Sequence, residues 1–512
     1  MKELHGPVEN FTWEEQLDFS DEKLGTGWVF RQHTIHNTIK INKNFETGKR
    51  SIIIPSNEEF LLKYLVEKIK NAKDFICVSS FLIQKSDFTT ALLESASKGI
   101  KVFILTARES DLSKAKDDLT DSEIEKINEH KELLDHFAGN ILVRTSDSFH
   151  AKYCLVDPVS PEAFGIFMTC NATVEAMRGA NQEIALSLTN AEIRSFFSHF
   201  LRGFWEMANY EILTRGDLTP VKRDHSITVD YGKIDLPVTT QNLHSLREKI
   251  LDLIKKAQRS LIIGTWSFDE DTAINKNLIE ALERGIEIKI FTRPSKRNTA
   301  SLKNLVDEGV QVLGQNRFHA KFLIADNSSG IVTTSNFTKL GLDTGFEVAV
   351  VLDSSEIEKL APLIAYWEGI CDWELKVNIQ LKEADEKFLL FSPGEPMLKE
   401  LKIEPELQFT NPRKEIESCE QVLNYSLNQE KAKELALGSP DKRVKVVKIS
   451  ETLELPILPL NASKSERKDV PFPYYSLKNK RFYIVVETWE DVLSLKDKIK
   501  KMGKTKIVIK KR

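Results

Sequence analysis

The sequence predicts an α/β protein built from two copies of one unit, and three observations lead to this prediction. Residues 64–108 and 249–293 match in order and in kind, and each segment reads as helix, strand, loop, helix, strand. The strand segments FICVSS, VFILT, LIIGTW and IKIFT are apolar almost throughout, which is typical of strands that helices cover on both faces. The match resumes at FHAKYCLVD and FHAKFLIAD. We therefore expect two mixed β-sheets flanked by helices and related by a pseudo-two-fold axis.

The helices of both units are predicted by the same signals. Each helical segment carries apolar residues at i, i+3 and i+4, so that one face of the helix packs on a sheet. Gly99 and Gly285 follow the second helix of their unit, where glycine suits the C′ position. A strand begins directly afterwards in both units.

The first unit contains an insertion. Matched residues are 185 positions apart at Ala72 and Ala257 but only 169 apart at His150 and His319. The simplest place for the extra residues is the charged segment 109–131. We expect that segment to form a pair of surface helices.

Four segments follow from this organisation. Residues 1–54 form an N-terminal extension, residues 55–215 and 216–375 form the two repeats, and residues 376–512 match neither repeat. The last segment has proline-rich turns and closes with a strand–helix–strand pattern, which predicts a small C-terminal α/β module. Substrate selection, binding of a protein partner and dimerisation are all open as its role.

Composition favours a cytoplasmic protein without a transmembrane segment. No stretch approaches the roughly 18 consecutive apolar residues that span a bilayer, and the N-terminus lacks the pattern of a secretory signal. The net charge of −4 removes the general argument for nucleic-acid binding from excess Lys and Arg. The basic run 496–512 can contact phosphates, although a solvated tail is the simpler interpretation. Five scattered cysteines indicate neither a disulfide framework nor a zinc site.

Two H-x-K motifs carry the predicted chemistry. Residues two apart in a strand share a face, so His150 and Lys152 are predicted to project together, and so are His319 and Lys321. An imidazole and an ammonium on a buried strand are costly unless they are hydrated, paired or bound to an anion. Because the motif occurs twice in the same register, we expect it to bind an anion.

Asn171 and Asn336 follow the next predicted strand of each unit and stand beside threonines. Their side chains offer neutral donors to an oxyanion. Two His, two Lys and two Asn around one anion supply positive charge and fixed donors, as a phosphoryl transition state requires. The sequence therefore predicts a phosphate site that needs no metal ion.

The motifs resemble the signature of the phospholipase D superfamily, which is H-x-K-x4-D followed by a G/S-x-N segment. Both copies are present, as HAKYCLVD with TCN and as HAKFLIAD with TSN, and the resemblance covers roughly residues 55–375. Met168-Thr169 and Thr333-Thr334 replace the usual Gly-Ser pair, a departure that concerns the hydroxyl contact. The resemblance implies a two-step displacement through a phosphohistidine, without a cofactor.

The resemblance also implies roles for the site residues. His150 is expected to attack phosphorus, and His319 to act as general acid and then as general base, with the reverse assignment left open by the symmetry of the repeats. The family places a carboxylate against each catalytic imidazole. It implies crossed pairs, Glu347 with His150 and Glu183 with His319.

Asp157 and Asp326 have odd parity relative to the His and Lys positions and fall just past the strand end. We interpret them as turn or ion-pair residues that support the site. Trp205 and Trp367 occupy matching apolar helices and are predicted to be core residues.

The reaction is better defined than the substrate, because one family core cleaves many diesters. Without a secretion signal or membrane anchor, the sequence favours a nuclease on DNA, with RNA also possible. The alternative is a phospholipid-cleaving or phosphatidyl-transferring enzyme. A third class, a regulatory subunit that binds nucleic acid, fits less well with two intact motifs.

Overall fold

The computed structural model describes residues 23–31, 44–107, 127–222, 230–270, 272–380, 389–392, 445–447, 454–456, 473–476 and 481–484. Most of the insertion 109–131 and the whole basic run 496–512 lie outside the described residues. The predicted C-terminal module is described only through short strands. Among the described residues, no helix is long and apolar enough to cross a membrane.

The described α-helices are α1 (Phe60–Lys70), α2 (Asp87–Ser97), α3 (Ile127–Phe137), α4 (Val174–Met177), α5 (Asn190–Arg202), α6 (Ser245–Lys256), α7 (Ala273–Glu283), α8 (Lys296–Asp307) and α9 (Ser354–Ile370). Two π-helices are also described: Gly203–Met207 follows α5, and Leu340–Thr344 lies between β17 and β18.

The described strands are β1 (Lys23–Phe30), β2 (Asn44–Glu46), β3 (Ser51–Ile53), β4 (Phe75–Ser79), β5 (Lys101–Thr106), β6 (Leu142–Thr145), β7 (Tyr153–Val156), β8 (Phe164–Met168), β9 (Ala185–Ser187), β10 (Tyr210–Ile212), β11 (Leu218–Pro220), β12 (Val238–Thr239), β13 (Ser260–Gly264), β14 (Glu287–Thr292), β15 (Gln311–Gly314), β16 (Phe322–Ala325), β17 (Ser329–Thr333), β18 (Glu347–Leu352), β19 (Trp373–Gln380), β20 (Leu389–Ser392), β21 (Lys445–Val447), β22 (Glu454–Pro456), β23 (Pro473–Ser476) and β24 (Arg481–Ile484).

Each repeat folds into a mixed sheet with the same internal strand order. The order is β6-β5-β4-β7-β8-β9 in the first sheet and β15-β14-β13-β16-β17-β18 in the second. β4–β5 and β13–β14 are parallel pairs, whereas β4–β7 and β13–β16 are antiparallel. Parallel neighbours need a crossover, which α2 and α7 provide. The prediction of two matching mixed sheets is confirmed.

Segments that precede the first repeat extend both sheets. β3 pairs with β9 at one edge of the first sheet, and β2 pairs with β3. β1 instead pairs antiparallel with β19 in the second sheet. There the buried Trp28 donates a hydrogen bond from Nε1 to Thr299 Oγ1 at 2.7 Å. The two repeats are therefore joined by more than the connector between them.

Apolar residues form three clusters that explain why the strands are apolar on both faces. One cluster lies between the first sheet and α1, α2 and α3, and a second between the second sheet and α6, α7 and α8. The third, which we call the central core, joins the inner faces of both sheets to α5 and α9. Its buried residues from both repeats include Phe149, Phe196, Phe318, Phe346 and Trp367.

A buried arginine connects the helix N-termini of the two repeats. α5 begins with a capping box of Thr189 and Glu192, and α9 begins with a capping box of Asp353 and Glu356. Arg50, from the β2–β3 hairpin, donates to Glu192 Oε1 at 2.7 Å and forms a second ion pair with Glu356. One guanidinium therefore bridges two equivalent carboxylates.

The prediction that Trp205 and Trp367 are both core residues is correct for only one of them. Trp367 is buried in α9 and packs on Phe318 at 5.6 Å between ring centroids. Trp205 is 44% exposed, with the guanidinium of Arg144 at 4.8 Å from its ring. Trp205 lies in the π-helix Gly203–Met207, whose wider turn brings Phe204 rather than Trp205 into the core.

Candidate active site

The H-x-K motifs lie directly before strands β7 and β16 rather than inside them, because the motif backbones pair with the opposite repeat. The predicted alternation of side chains is still present. Ala151 and Tyr153 are buried in the central core. Lys152, which lies between these two residues in the sequence, has its side chain on the other face, and its ammonium donates to the carbonyl oxygen of His150 at 2.5 Å.

The first motif is held by the strand that carries Glu347. The backbone N–H of Ala151 donates to the carbonyl oxygen of Phe346 at 2.8 Å, and the N–H of Phe346 donates to the carbonyl oxygen of Ser148, also at 2.8 Å. The rings of Phe149 and Phe346 pack edge to face at 5.2 Å. This clamp fixes the backbone of Glu347 beside the first motif.

The second motif repeats the clamp with the partners exchanged. The N–H of Gln182 donates to the carbonyl oxygen of Arg317 at 2.8 Å, and the N–H of His319 donates to that of Gln182 at 3.2 Å. Gln182 directly precedes Glu183. Each repeat therefore places a carboxylate against the histidine of the other repeat.

The side chains complete these crossed pairs. His150 Nδ1 lies 2.8 Å from Glu347 Oε1, and His319 Nδ1 lies 2.5 Å from Glu183 Oε1. The geometry is the crossed pairing that the family resemblance implies. Because both histidines are bonded across the seam between the repeats, the structure supports one composite site rather than two separate ones.

Both carboxyl groups are ionised at neutral pH. Burial tends to raise the pKa of Glu347, but the charge and hydrogen bond of His150 outweigh it, and the pKa lies below its ordinary value. The pKa of Glu183 is lowered in the same way by His319 against the effect of burial. An ionised carboxylate only accepts, so Nδ1 of each imidazole must donate. Nε2 of each ring is then the nitrogen that carries either a lone pair or the exchangeable proton.

Two threonine hydroxyls orient these carboxylates. Thr169 Oγ1 donates to Glu183 Oε2 at 2.6 Å, and Thr334 Oγ1 donates to Glu347 Oε2. Both threonines belong to the segments that depart from the usual Gly-Ser pattern. The hydroxyl is therefore present in both repeats, and its partner is the carboxylate that contacts the histidine of the other repeat.

Each of the two motif lysines lies within electrostatic reach of the other repeat: Lys152 acts on Glu347, and Lys321 acts on Glu183. Lys152 and Lys321 are fully buried, and Lys321 Nζ lies 2.9 Å from His319 Nε2. Burial raises the pKa of the Cys170 thiol well above its usual value, and Glu183 adds to the rise. Lys152 and Lys321 both act in the opposite direction on this thiol. Ammonium groups from both repeats therefore lie within electrostatic reach of one side chain.

The asparagine loops depend on hydroxyls that sequence reasoning missed. Asn171 and Asn336 are buried at the end of their loops. The residue after each asparagine donates its backbone N–H to a hydroxyl oxygen, Ser80 Oγ at 3.0 Å or Thr265 Oγ1 at 3.2 Å. Ser80 and Thr265 occupy matching positions directly after β4 and β13. That match in the repeat alignment was the signal that could have found them.

A third histidine supports the site from the central core. His199 stacks on Phe346 with 3.8 Å between ring centroids, and its Nδ1 lies 3.1 Å from the hydroxyl of Tyr153. Burial lowers the pKa of His199 to about 3, so the ring is neutral. Sequence reasoning missed this residue because nothing near it in the chain marks it.

Asp157 and Asp326 are turn residues, as predicted. Both have positive φ angles, 48° and 54°. Each carboxylate accepts three consecutive backbone N–H groups, those of residues 73–75 before β4 and those of residues 258–260 before β13. Burial opposes the shift, but these bonds lower the pKa of Asp326. Both carboxylates therefore fix the turns that lead into β4 and β13.

A family model described as cardiolipin synthase, PLD-like domain, matches residues 65–207 and 250–363. Together the two segments make up just over half of the chain. The chain belongs to the phospholipase D superfamily. The two matched segments coincide with the two repeats that carry the H-x-K motifs.

Individual relatives in the superfamily are distant. The probable cardiolipin synthase YwiE of Bacillus subtilis is 25% identical over 195 residues, which cover 33% of this chain and 38% of that protein. Phosphatidylserine synthase of Haemophilus influenzae is 13% identical, with 65% of this chain and 88% of that chain covered and a TM-score of 0.45. The phospholipase D family member Nuc of Salmonella typhimurium is 24% identical, with 26% and 91% covered and a TM-score of 0.24.

Neutral variants of the two carboxylates are expected to distinguish the two half-sites, which we define as the pair of His150 with Glu347 and the pair of His319 with Glu183. Glu347→Gln and Glu183→Gln keep the side-chain shape but remove the charge that fixes the Nδ1–H tautomer. We expect turnover to fall about 10²- to 10⁴-fold in each. If His150 is the nucleophile, as the family resemblance implies, Glu183→Gln should retain the first release of nitrophenolate from a nitrophenyl diester, whereas Glu347→Gln should lose it.

The matched control is Glu132→Gln on the exposed face of α3, which should behave as wild type. Stopped-flow absorbance measures the burst and the steady state together. If Glu347→Gln kept its burst and Glu183→Gln lost it, the roles of the two half-sites would be exchanged.

Proposed function

We propose that this chain transfers a phosphatidyl group from a phospholipid to a hydroxyl acceptor through a phosphohistidine on His150. The observation that carries the proposal is the crossed pairing of each histidine with a buried carboxylate of the other repeat. It gives two imidazoles with fixed tautomers in one composite site. One can act as nucleophile while the other transfers protons.

In the first step, Nε2 of His150 attacks phosphorus while Nε2 of His319 gives its proton to the leaving alkoxide. The bond from phosphorus to the leaving oxygen breaks as the nitrogen–phosphorus bond forms. In the second step, His319 takes the proton of the acceptor hydroxyl, whose oxygen attacks phosphorus and releases His150. Glu347 and Glu183 stabilise the imidazolium forms through their Nδ1–H bonds.

Lys152 and Lys321 are the cationic groups for the oxygens of the phosphoryl group. Asn171 and Asn336 are assigned to neutral donation toward the same oxygens. These groups stabilise charge that spreads over the equatorial oxygens in the transition state. The eight site residues thus divide into two histidines, two orienting carboxylates and four groups for the anion.

Two findings support a phospholipid over DNA as the substrate. The family model that matches both repeats is described as cardiolipin synthase, PLD-like domain. The similar protein YwiE of Bacillus subtilis is also named as a probable cardiolipin synthase. The nuclease function that the sequence favours has no comparable support. It is kept as the competing outcome of the experiment.

The substrate experiment compares lipid and nucleic acid under one set of conditions. Phosphatidylglycerol in mixed micelles should give a transphosphatidylation product with added alcohol and phosphatidic acid with water, both detected by mass spectrometry. Single- and double-stranded DNA should remain uncut on a gel. His150→Ala is the blank, and His136→Ala, an exposed position on α3, is the matched control. Cleavage of DNA without any lipid product would contradict phosphatidyl transfer and support a nuclease function instead.

Activity is expected to survive a chelator. Lys152 and Lys321 place two buried positive charges at the site, so charge on the phosphoryl oxygens is balanced by the protein itself. Rates in EDTA and in magnesium should agree within about twofold. Loss of turnover in EDTA that magnesium restores would contradict the mechanism.

A further inference from the structure

The charged insertion of the first repeat reaches the candidate active site through one buried histidine. His130 lies in α3, at the end of the insertion 109–131, and is fully buried. Its Nε2 lies 3.3 Å from the carbonyl oxygen of Ala107, directly after β5. Its Nδ1 lies 3.3 Å from the backbone nitrogen of Ile83 and 2.9 Å from the carbonyl oxygen of the same residue. His130 therefore links α3 to the end of β5 and to the segment that follows β4.

The imidazole of His130 can make this link in either protonation state. A carbonyl oxygen only accepts a hydrogen bond. The neutral ring with its proton on Nε2 donates to Ala107 and accepts the N–H of Ile83 at Nδ1, whereas the charged ring donates to both carbonyl oxygens. Both forms join the same two backbone segments.

Asn298 makes the same link in the second repeat. It lies in α8 and is 1% exposed. Its Nδ2 donates to the carbonyl oxygen of Arg293 at 2.7 Å, and its Oδ1 accepts the N–H of Phe268 at 3.1 Å. Arg293 directly follows β14 as Ala107 directly follows β5, and Phe268 matches Ile83 in the segment after the first strand of its repeat. A histidine and an asparagine therefore perform one structural task in the two repeats.

Each linked segment carries an aromatic ring that packs against a catalytic imidazole. Phe81 contacts His150 edge to face at 5.1 Å between ring centroids, and Trp266 contacts His319 in the same way at 5.0 Å. In a closely packed interior, a displacement of either ring is passed on to the imidazole beside it. The buried link therefore controls where the ring, and with it the imidazole, lies.

The same segments contact the asparagine loops. Ile83 pairs with Ala172, and Phe268 pairs with Phe337, in isolated β-bridges. Each of these partners directly follows the site asparagine of its repeat. One buried link per repeat thus acts on the ring beside the histidine and on the backbone beside the asparagine.

We propose that His130 and Asn298 are matched positioning residues, one for each half-site, that act through the rings of Phe81 and Trp266. The inference rests on the proposed two-step transfer. Since each link stays within one repeat, loss of His130 disturbs the histidine that attacks phosphorus, and loss of Asn298 disturbs the histidine that transfers protons. The end of the insertion thereby supports the nucleophile, as α8 supports the acid and base.

Two leucine variants test this division of roles. Leucine fills most of the volume but removes both polar contacts. With a nitrophenyl diester, His130→Leu should slow the burst of nitrophenolate about 10- to 100-fold, because a small displacement of a reacting group lowers the rate on this scale. Asn298→Leu should keep the burst rate and lower the steady-state rate by a similar factor. Stopped-flow absorbance measures both phases.

His130→Gln restores a donor and an acceptor and should recover most of the burst rate. His136→Leu, at an exposed position on α3, is the matched control and should behave as wild type. If a leucine variant does not fold, Phe81→Leu and Trp266→Leu should give the same division, because they remove the ring contact and leave both links in place. A wild-type burst rate in His130→Leu, or the same effect of both variants on both phases, would overturn the proposal.

Nuclear magnetic resonance of the imidazole Cε1–H groups tests the positioning without turnover. His130→Leu should shift the resonance of His150 and leave that of His319 in place, and Asn298→Leu should do the reverse. Unchanged resonances in both folded variants would count against the positioning roles alone. Absence of any nitrophenolate burst in wild type would count against the proposed function alone, because the resonances report the position of each ring independently.

Discussion

His319→Ala is expected to release about one nitrophenolate per site from a nitrophenyl diester and then stop. A nitrophenolate needs little protonation to depart, so loss of the general acid spares the first step. In the proposed mechanism the second step needs His319 as the base for the acceptor hydroxyl, so phosphohistidine should accumulate. His150→Ala should give no burst, because the nucleophile is missing.

On a phospholipid, both variants should be nearly inactive. An alkoxide is a poor leaving group, and general acid catalysis contributes about 10²- to 10⁴-fold to its departure. Rapid-quench mass spectrometry should find the phosphoryl group on the peptide that contains His150. His136→Ala controls for the loss of any histidine, since that side chain is exposed on α3.

The symmetry of the site sets the outcome that would change the assignment. A burst from His150→Ala and none from His319→Ala would make His319 the nucleophile and keep the mechanism. Sustained turnover by both variants would remove phosphohistidine from the reaction.

The repeats were predictable from sequence because duplication displays the same physical constraints twice. In both repeats, strand segments that are apolar on both faces alternate with helical segments of matching length, and this pattern predicted the order of the helices and strands. The H-x-K motifs could be located because a buried imidazole and ammonium at one spacing are rare without a ligand.

What could not be predicted depends on contacts between distant parts of the chain. The pair of His150 and Glu347 spans 197 positions, and no local pattern encodes which carboxylate meets which imidazole; only the family resemblance implied it. Trp205 was misplaced because an extra residue in a π-turn changes which side chain faces the core. Arg50 joins two capping boxes that each look complete in isolation.

Arg50→Met is expected to lower the free energy of unfolding by about 3–5 kcal/mol, because it removes the buried cation that pairs with a buried carboxylate. Arg50 is 4% exposed, and the Glu356 that it pairs with is fully buried. Methionine keeps most of the stem volume, so the loss reports the charge rather than a cavity. Lys49→Met is the control, since Lys49 is exposed and lies 3.8 Å from the same Glu356. Denaturant unfolding should show less than about 1 kcal/mol for that variant.

The pH dependence supplies the second readout for Arg50. Burial opposes the shift, but the hydrogen bond and charge of Arg50 lower the pKa of Glu192 below its ordinary 4.5. A lowered pKa in the folded state means that this stability is present above pH 4.5 and is lost as the pH falls through the folded value. Arg50→Met should therefore flatten the acid limb of the stability curve, and adding Glu356→Gln should recover part of the loss at neutral pH. If Arg50→Met were no less stable than Lys49→Met, the bridge between the two capping boxes would contribute nothing to holding the repeats together.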